Sequence, residues 1–396
     1  MSKHGMSRRA LCAGTGAWIA ASAAALRVAA GAPFPPDSEA YSPWHLWNDK
    51  SIAGTPLALV AAGILAANPH DTQPWLFRVT DERIEIFADL SRNLGAMDAL
   101  LREMHLGLGC AIENMLLAAP PNGYDASLDV VGGSLLSLGE ERATIPAATL
   151  RLSKLAPQEP DALYGAIPER HTNRYAYDRN RALAFEWLEF VRQAAAGEDV
   201  RLFLFTDGPA RDRFDATVID ATAAIIADPE MAYDNMRWMR RSHDAIEAHR
   251  DGLTYASAGL SPLMQFLAGL VPLPRSMENH AWLAQTRDTH LASAPVTGLI
   301  AVRDRYDRAQ SIAAGQTWQR LHLSATVHGI SMQPLNQPIE MVDREMQAGS
   351  ETRWAARVDR LANPGWQTTF AFRAGYCNEA ASPSPRRALR DVVRLG

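Results

Sequence analysis

The chain has 396 residues, of which 47% are apolar and 21% charged, with a formal net charge of -5. This composition excludes a disordered polymer and is enough for one large core or two smaller ones. The slight negative charge argues against a nucleic-acid binder, which would carry a basic patch or stripe. Three cysteines, Cys12, Cys110 and Cys377, are too few and too scattered for a disulfide framework or a zinc site. If Cys12 leaves with a leader, two unpaired thiols are expected, and sequence alone leaves a bridge open.

In chain order, the first element is "MSKHGMSRRALCAGTGAWIAASAAALRVAAGA". It has a basic start, an uncharged run from Ala10 to Leu26, and then small residues. That is the order of an export signal, too short and too weakly apolar for a stable membrane span. Ser7-Arg8-Arg9 resembles a twin-arginine signal. Residues 1–32 are therefore expected to be a leader, and the mature protein to be periplasmic or extracytoplasmic. Ala30-Gly31-Ala32 has the small-x-small form, but Pro33 would follow directly, which leaves a neighbouring cleavage site open. This route exports proteins already folded, often with a cofactor inserted. The proline-rich stretch that follows reads as an extended linker over 33–50.

Residues 53–67 read as a buried helix with almost no polar face. "WLFRVTDERIEIFAD" (75–89) alternates on both sides of Asp81-Glu82, which predicts a hairpin. A long apolar helix is predicted over 99–120, ended by Pro120-Pro121, followed by strands at "ASLDVVGG" and "ATLRLSKL". Then come a polar, arginine-rich loop (167–183), a helix (184–196) and a strand (200–207). The apolar stretch 209–290 reads as a helical lid or insertion. A strand (296–304), a helix (314–330), "SMQPLNQP" and a strand (367–377) precede a basic tail. The order is α+β, not the strict alternation of a doubly wound sheet. "REMHLGLGCA" (102–111) and "QRLHLSATVH" (319–328) form a weak internal repeat, so two tandem related modules, 51–160 and 161–396, are expected.

Three constellations carry possible chemistry. In "RHTNR", Arg170, Thr172 and Arg174 alternate, and alternate side chains of an extended segment share a face. Two guanidiniums and a hydroxyl suit a phosphate, and Arg386 and Arg387 of "SPRR" are candidates to complete the site. The competing reading is a solvated basic loop and tail. In "NPHDTQPW" (68–75), Asp71 and Gln73 are placed to hydrogen-bond a flat heteroaromatic ring above Trp75, or else form an Asx-type turn. Gly329 ends the second long helix, either as a cap or to let backbone approach a ligand. The G-x-G-x-x-G, P-loop, G-x-S-x-G and H-E-x-x-H motifs are missing. His105 and His322 lie in apolar helices, where a core role is expected, and no metal site is expected.

Taken together, these residues resemble the nitroreductase family of FMN-binding flavoproteins. "AANPHDTQPWLFRV" is similar to its A-P-S-x-x-N-x-Q-P-W motif, and "RHTNR" to its R-R-S-x-R phosphate motif. "HLSATVHGI" looks like the helix leading to the flavin-facing loop, and "FRAGYC…SPRR" like the closing segment. The order of the first two motifs is reversed, as in the Acg-like branch, where two modules in one chain mimic the usual homodimer. The resemblance implies an α+β nitroreductase-like fold with a pseudo-dimer of sheets flanked by helices, and FMN at the module interface. Arg170, Thr172 and Arg174 would hold the phosphate, helped by Arg386 and Arg387. Asp71 and Gln73 would lie near the ring or ribityl chain, and Ser331, Met332 and Gln333 would offer backbone groups. No catalytic residue is implied, because the flavin does the chemistry.

Asp71 stands where the family has asparagine, which puts ordinary nitroreductase activity in doubt, since a carboxylate disfavours anionic reduced flavin. An exported protein also lies apart from the cytosolic NAD(P)H pool. The expectation is an exported FMN oxidoreductase acting on a small organic substrate with an unknown electron donor, as a monomer or homodimer. The alternatives are a flavin-sequestering protein with little turnover, and a structural protein that has lost flavin.

Overall fold

The computed structural model describes residues 38–138, 143–194, 199–261, 263–265, 268 and 274–395. The expected leader, 1–32, and the start of the expected linker lie outside them. Residues Ser42–Asn48, within that linker, form a 3-10 helix that Pro43 helps to start. Tyr41 and Trp44 are buried against the core, so this stretch packs rather than extends.

Helix α1 (Pro56–Gly63) is buried on nearly every side, as its run of Leu, Val and Ala requires. Strands β1 (Trp75–Val79) and β2 (Arg83–Asp89) form the expected hairpin. Ile84, Ile86 and Ala88 face inward while Arg83 is exposed, the period of two of a half-buried strand. Helix α2 (Arg102–Ala118) and strands β3 (Tyr124–Val130) and β4 (Thr144–Lys154) complete the first half.

The second half has helix α3 (Phe185–Ala194), strand β5 (Val200–Phe205), and helices α4 (Gly208–Ala227), α5 (Pro229–Met236), α6 (His243–His249) and α7 (Arg275–Gln285). Then follow strand β6 (Val296–Val302), helix α8 (Arg308–Val327), strand β7 (Ser331–Pro334), helices α9 (Gln337–Gln347) and α10 (Arg353–Asp359), and strand β8 (Gln367–Gly375). The four strands make an antiparallel sheet in the order β5-β6-β8-β7. Every residue of β6 is buried, so "VTGLIAV" is apolar along its whole length rather than alternating.

Two features were not anticipated. A last strand, β9 (Val393–Leu395), returns to the first half and pairs parallel with β1, giving the order β9-β1-β2-β4-β3. The expected lid at 209–290 divides in two. Helix α4 packs Phe214 and Val218 on Leu299 of β6, Ala371 of β8 and Ile339 of α9, so it belongs to the second core. Only the segment after it, with a short parallel ladder between Met239–Arg240 and Leu253–Thr254, covers the site described below.

The halves meet along α2 and α8. A Cβ on Gly109 would lie 2.1 Å from the Ile312 carbonyl oxygen, and one on Gly315 would lie 2.0 Å from that of Leu106. The helices therefore touch backbone to backbone. Polar pairs line this seam: Gln319 Nε2 donates to Asn114 Oδ1 (2.8 Å), and Arg320 Nε to Glu113 Oε1 (2.7 Å). Cys110 sits here too, its thiol donating to Gly315 O (3.2 Å), and both Cys110 and Cys377 are free. His105 is also a core residue, with Nδ1 bonded to Leu101 O at 2.7 Å.

Gly109→Ala is expected to destabilise the protein by about 3 kcal/mol or more, because the clash is with backbone that cannot rotate away. Gly132→Ala, where a Cβ meets nothing within 4 Å, is expected to change stability by less than about 0.5 kcal/mol. Guanidinium unfolding of both variants checks this, and equal midpoints would contradict it.

Candidate functional site

A cavity of about 350 Å³ lies beside the α2–α8 seam. Its floor includes Leu106 and Gly107 of α2, Trp318 of α8 and Phe370 of β8. The segment after α4 roofs it with Met236, Met239, Leu253, Tyr255, Leu260 and Trp282. The walls are thus largely apolar, with polar groups gathered at a few places.

The loop 68–73 forms one edge. Asn68 Oδ1 accepts from the Gln73 N–H (2.7 Å), closing the loop across five residues rather than as an Asx turn. His70, Asp71 and Gln73 have φ of 46°, 54° and 50°. Such left-handed backbone costs a non-glycine residue about 1 kcal/mol or more, and it is held because the surroundings over-determine it. The loop sits directly on α2: a Cβ on Gly107 would lie 3.0 Å from Pro69 Cδ.

This backbone turns the expected contacts around. Asn68, Pro69 and His70 line the cavity. Asp71 and Gln73 point into the protein and do not line it. Asp71 pairs with Arg386. Burial raises the Asp71 pKa to about 7, against the opposing pull of Arg386. Gln73 Nε2 donates to Arg250 O (2.9 Å) and its Oε1 accepts from the Arg387 N–H (2.7 Å). Arg387 Nη1 donates to Gln73 O (3.1 Å). Asp71, Gln73, Arg386 and Arg387 thus tie the tail to the loop. Trp75 is fully buried in the core.

The segment 170–174 behaves as its alternation suggests at two positions. Thr172 and Arg174 line the cavity. Between them, Asn173 turns away, its N–H donating to Met332 O (3.1 Å) and its Nδ2 to Glu379 O (2.8 Å). Arg174 Nη1 donates to Ser257 O (2.5 Å), and Arg170 Nη2 to Leu65 O (3.0 Å). Neither guanidinium has an ion pair among the described residues. Burial pushes both down to about 10, so both stay charged at neutral pH. Arg170 Nε and Arg386 Nε are buried without a hydrogen-bond partner.

Of Ser331, Met332 and Gln333, only Gln333 lines the cavity. It faces Arg373 across the ladder, and Arg373 Nε donates to its Oε1 (2.6 Å). Its Nε2 therefore faces His290 Nδ1 at 3.2 Å. Burial, then Arg373 and Arg174, hold His290 neutral, and a π-helical turn at Thr286–Leu291 carries it to the cavity. Gly329 has φ of 68° with open space around it, and Ile330 N–H donates to Ala325 O (2.8 Å). That is the capping role, not a ligand approach.

Part of the cavity lining is acidic, which the sequence did not suggest. Glu103 of α2 and Glu340 of α9 both line it and are 4% and 5% exposed. Behind them, Arg102 donates from Nε to Asp343 Oδ2 (2.8 Å), and Asp98 accepts from the Glu103 and Met104 N–H groups (2.9 and 2.8 Å). Burial raises Glu103 to about 8 and Asp98 to about 6, and lifts Glu340 well above the ordinary 4.5. The nearest sequence signal was a charge inside the long apolar run at 99–120.

The roof is latched at several points. Asn235 Oδ1 is 2.7 Å from His70 Nε2, and burial holds His70 down to about 4, hence neutral. Gly252 N–H donates to Asp71 O (3.0 Å). Asp251 pairs with Arg92 of the first half and, at 2.6 Å, with Arg240.

No family model matches the chain. Proteins from two strains of Mycobacterium tuberculosis, each provisionally named an NAD(P)H nitroreductase, are 25% identical to it over 347 residues, or 86% of this chain and 91% of theirs. Among solved structures, an FMN-dependent nitroreductase from Mycobacterium smegmatis in complex with NADPH aligns at 16% identity and a TM-score of 0.37, covering 59% of this chain and 98% of that one. A protein from Anabaena variabilis provisionally described as a nitroreductase aligns at 13% identity and a TM-score of 0.40, covering 74% of this chain and 69% of that one.

The acidic side makes stability pH-dependent. Glu103 and Glu340 keep protons in the folded chain that they lose near 4.5 when unfolded. Folding takes up protons, so this contribution is full below 4.5 and is lost as pH rises through about 8. Glu340→Gln, which mimics the protonated acid, is expected to flatten the fall of the melting temperature over that range. Parallel curves for the two proteins would contradict this.

Proposed function

We propose that the chain is an FMN-dependent oxidoreductase of the nitroreductase type, carrying out two-electron chemistry on a small organic molecule. One observation carries the reading. Arg170, buried, and Arg174, partly buried, flank Thr172 and have no carboxylate partner among the described residues, and Thr172 and Arg174 line a largely apolar cavity. Buried charge left unpaired is costly, and an anionic ligand group answers it. The names of the curated relatives, which span most of the chain, support the same reading.

Bound in this cavity, FMN would supply hydride transfer, and the protein would position and tune it. Arg174 and Thr172 would hold the phosphate, with Arg170 and Arg386 behind them. Gln333 and neutral His290 would offer uncharged polar groups nearby. The apolar floor and roof would exclude water. The Asp71 carboxylate is answered by Arg386, so it does not load the cavity with an unpaired negative charge.

We further infer that 51–160 and 161–396 act as two modules whose shared seam makes one site per chain, so that a monomer suffices. The N-terminal segment supports export by the twin-arginine route. NAD(P)H is the donor in the names of the relatives, and an exported protein would use a donor available outside the cytosol. A flavin-holding protein with little turnover is the second reading, favoured by the latches at His70–Asn235 and Gly252–Asp71.

The double variant Arg170→Ala, Arg174→Ala is expected to lose about tenfold or more in FMN affinity, from the charge-assisted contact of Arg174, about 1.5–3 kcal/mol, together with the loss of the Arg170 charge behind it. Far-UV circular dichroism should be unchanged. Full FMN occupancy in the folded variant would sink the phosphate assignment.

A further inference from the structure

The acidic side of the cavity holds four carboxyl groups, on Asp98, Glu103, Glu340 and Asp343, around the single guanidinium of Arg102. Asp343 and Asp98 are engaged within the protein: Asp343 by Arg102, Asp98 by two backbone N–H groups. Glu103 and Glu340 are the two that reach the cavity. No group of three or more such residues among those described is arranged to hold a metal ion.

A second, independent observation points to a ligand here. Gln337, one turn before Glu340 on α9, lines the cavity, is 7% exposed, and its Oε1 has no hydrogen-bond partner. Glu340 Oε2 is likewise buried without a partner. Two acceptor oxygens three residues apart on a helix share a face. Leaving buried acceptors unmade is costly, and a donor arriving from the cavity relieves both. Asn336 is committed elsewhere: its Oδ1 accepts from Ala371 N–H (2.9 Å), which leaves its amide to hydrogen-bond Glu103. Glu103 is thereby held in place as the third acceptor. The same cavity is lined by Met97, Leu106, Trp282, Trp318 and Phe370.

We propose that Glu103, Gln337 and Glu340 form a subsite for a protonated nitrogen group, amidinium- or ammonium-like, carried on a flat apolar body. The cation's N–H groups meet the orphaned oxygens, and its charge replaces the protons that Glu103 and Glu340 otherwise keep, since Arg102 alone does not balance the four carboxyl groups. The aromatic and methionine walls take the flat body. The subsite names the substrate class for the site proposed above and rests on that reading for its place in a reaction. Its binding chemistry stands without it.

The test is equilibrium binding of benzamidine and of its neutral isostere benzamide to the purified full-length protein. Binding is followed by quenching of tryptophan fluorescence, since Trp282 and Trp318 line the cavity. Benzamidine is expected to bind about tenfold or more tighter than benzamide in the wild type. Glu340→Gln is expected to remove that preference while leaving benzamide affinity in place, and Glu103→Gln to weaken it. Equal affinities in the wild type, no benzamidine binding, or a preference that survives in Glu340→Gln would overturn the proposal. The wild-type comparison decides by itself if a variant does not fold. Flavin content is recorded in each titration. A preference in protein that cannot hold FMN keeps the subsite and removes the flavin reading. Flavin-loaded protein without the preference does the reverse.

Discussion

The backbone contact between α2 and α8 sets the rest of the molecule in place. Gly109 and Gly315 leave no room for a Cβ against the facing carbonyls, so the helices settle at a separation that larger residues forbid. At that distance the buried amides of Asn114 and Gln319 reach each other, as do Glu113 and Arg320. These polar pairs are satisfied only in one register, and they fix how the two sheets stand relative to the seam. The same helix, α2, then carries Leu106, Gly107 and Glu103 to the cavity. The site is therefore a consequence of the seam: it exists where the two halves and the tail converge, and neither half encloses it alone.

Around that seam the charges are sorted. Arg170, Arg174 and Arg373 have neutral partners only, while Glu103 shares the Arg102 guanidinium (3.4 Å) with Asp343 and Glu340 is buried with no cation of its own among the described residues. A folded chain gains nothing from unpaired buried charge, because desolvation exceeds what backbone carbonyls return. Retaining both sets in one small volume makes sense when ligand groups of opposite character complete them. The strained loop at His70–Gln73 fits this account, since its backbone directs Asp71 inward to Arg386 and leaves Asn68 and His70 facing the cavity.

Much of the fold was legible because its signals are local. The β1–β2 hairpin follows from alternation about Asp81-Glu82, and α2 from its long apolar run ended by two prolines. Thr172 and Arg174 reach the cavity as their alternation in an extended segment suggested. What was not legible depends on distant contacts or on backbone sign. No pattern in "VRL" announces a strand that pairs with β1, since its partner lies at the other end of the chain. Helix α4 is as apolar as the lid that follows it, so sequence could not show that it belongs to the second core. The inward turn of Asp71 and Gln73 requires positive φ at non-glycine residues, which residue type does not reveal. Glu103 and Glu340 come together only when α2 and α9 do.

The measurement that tests this account most directly is the visible absorbance spectrum of the purified protein, before and after NADPH and then air. The account predicts a bound-flavin spectrum that bleaches on reduction and returns on reoxidation. A colourless protein that cannot be loaded with FMN would contradict it.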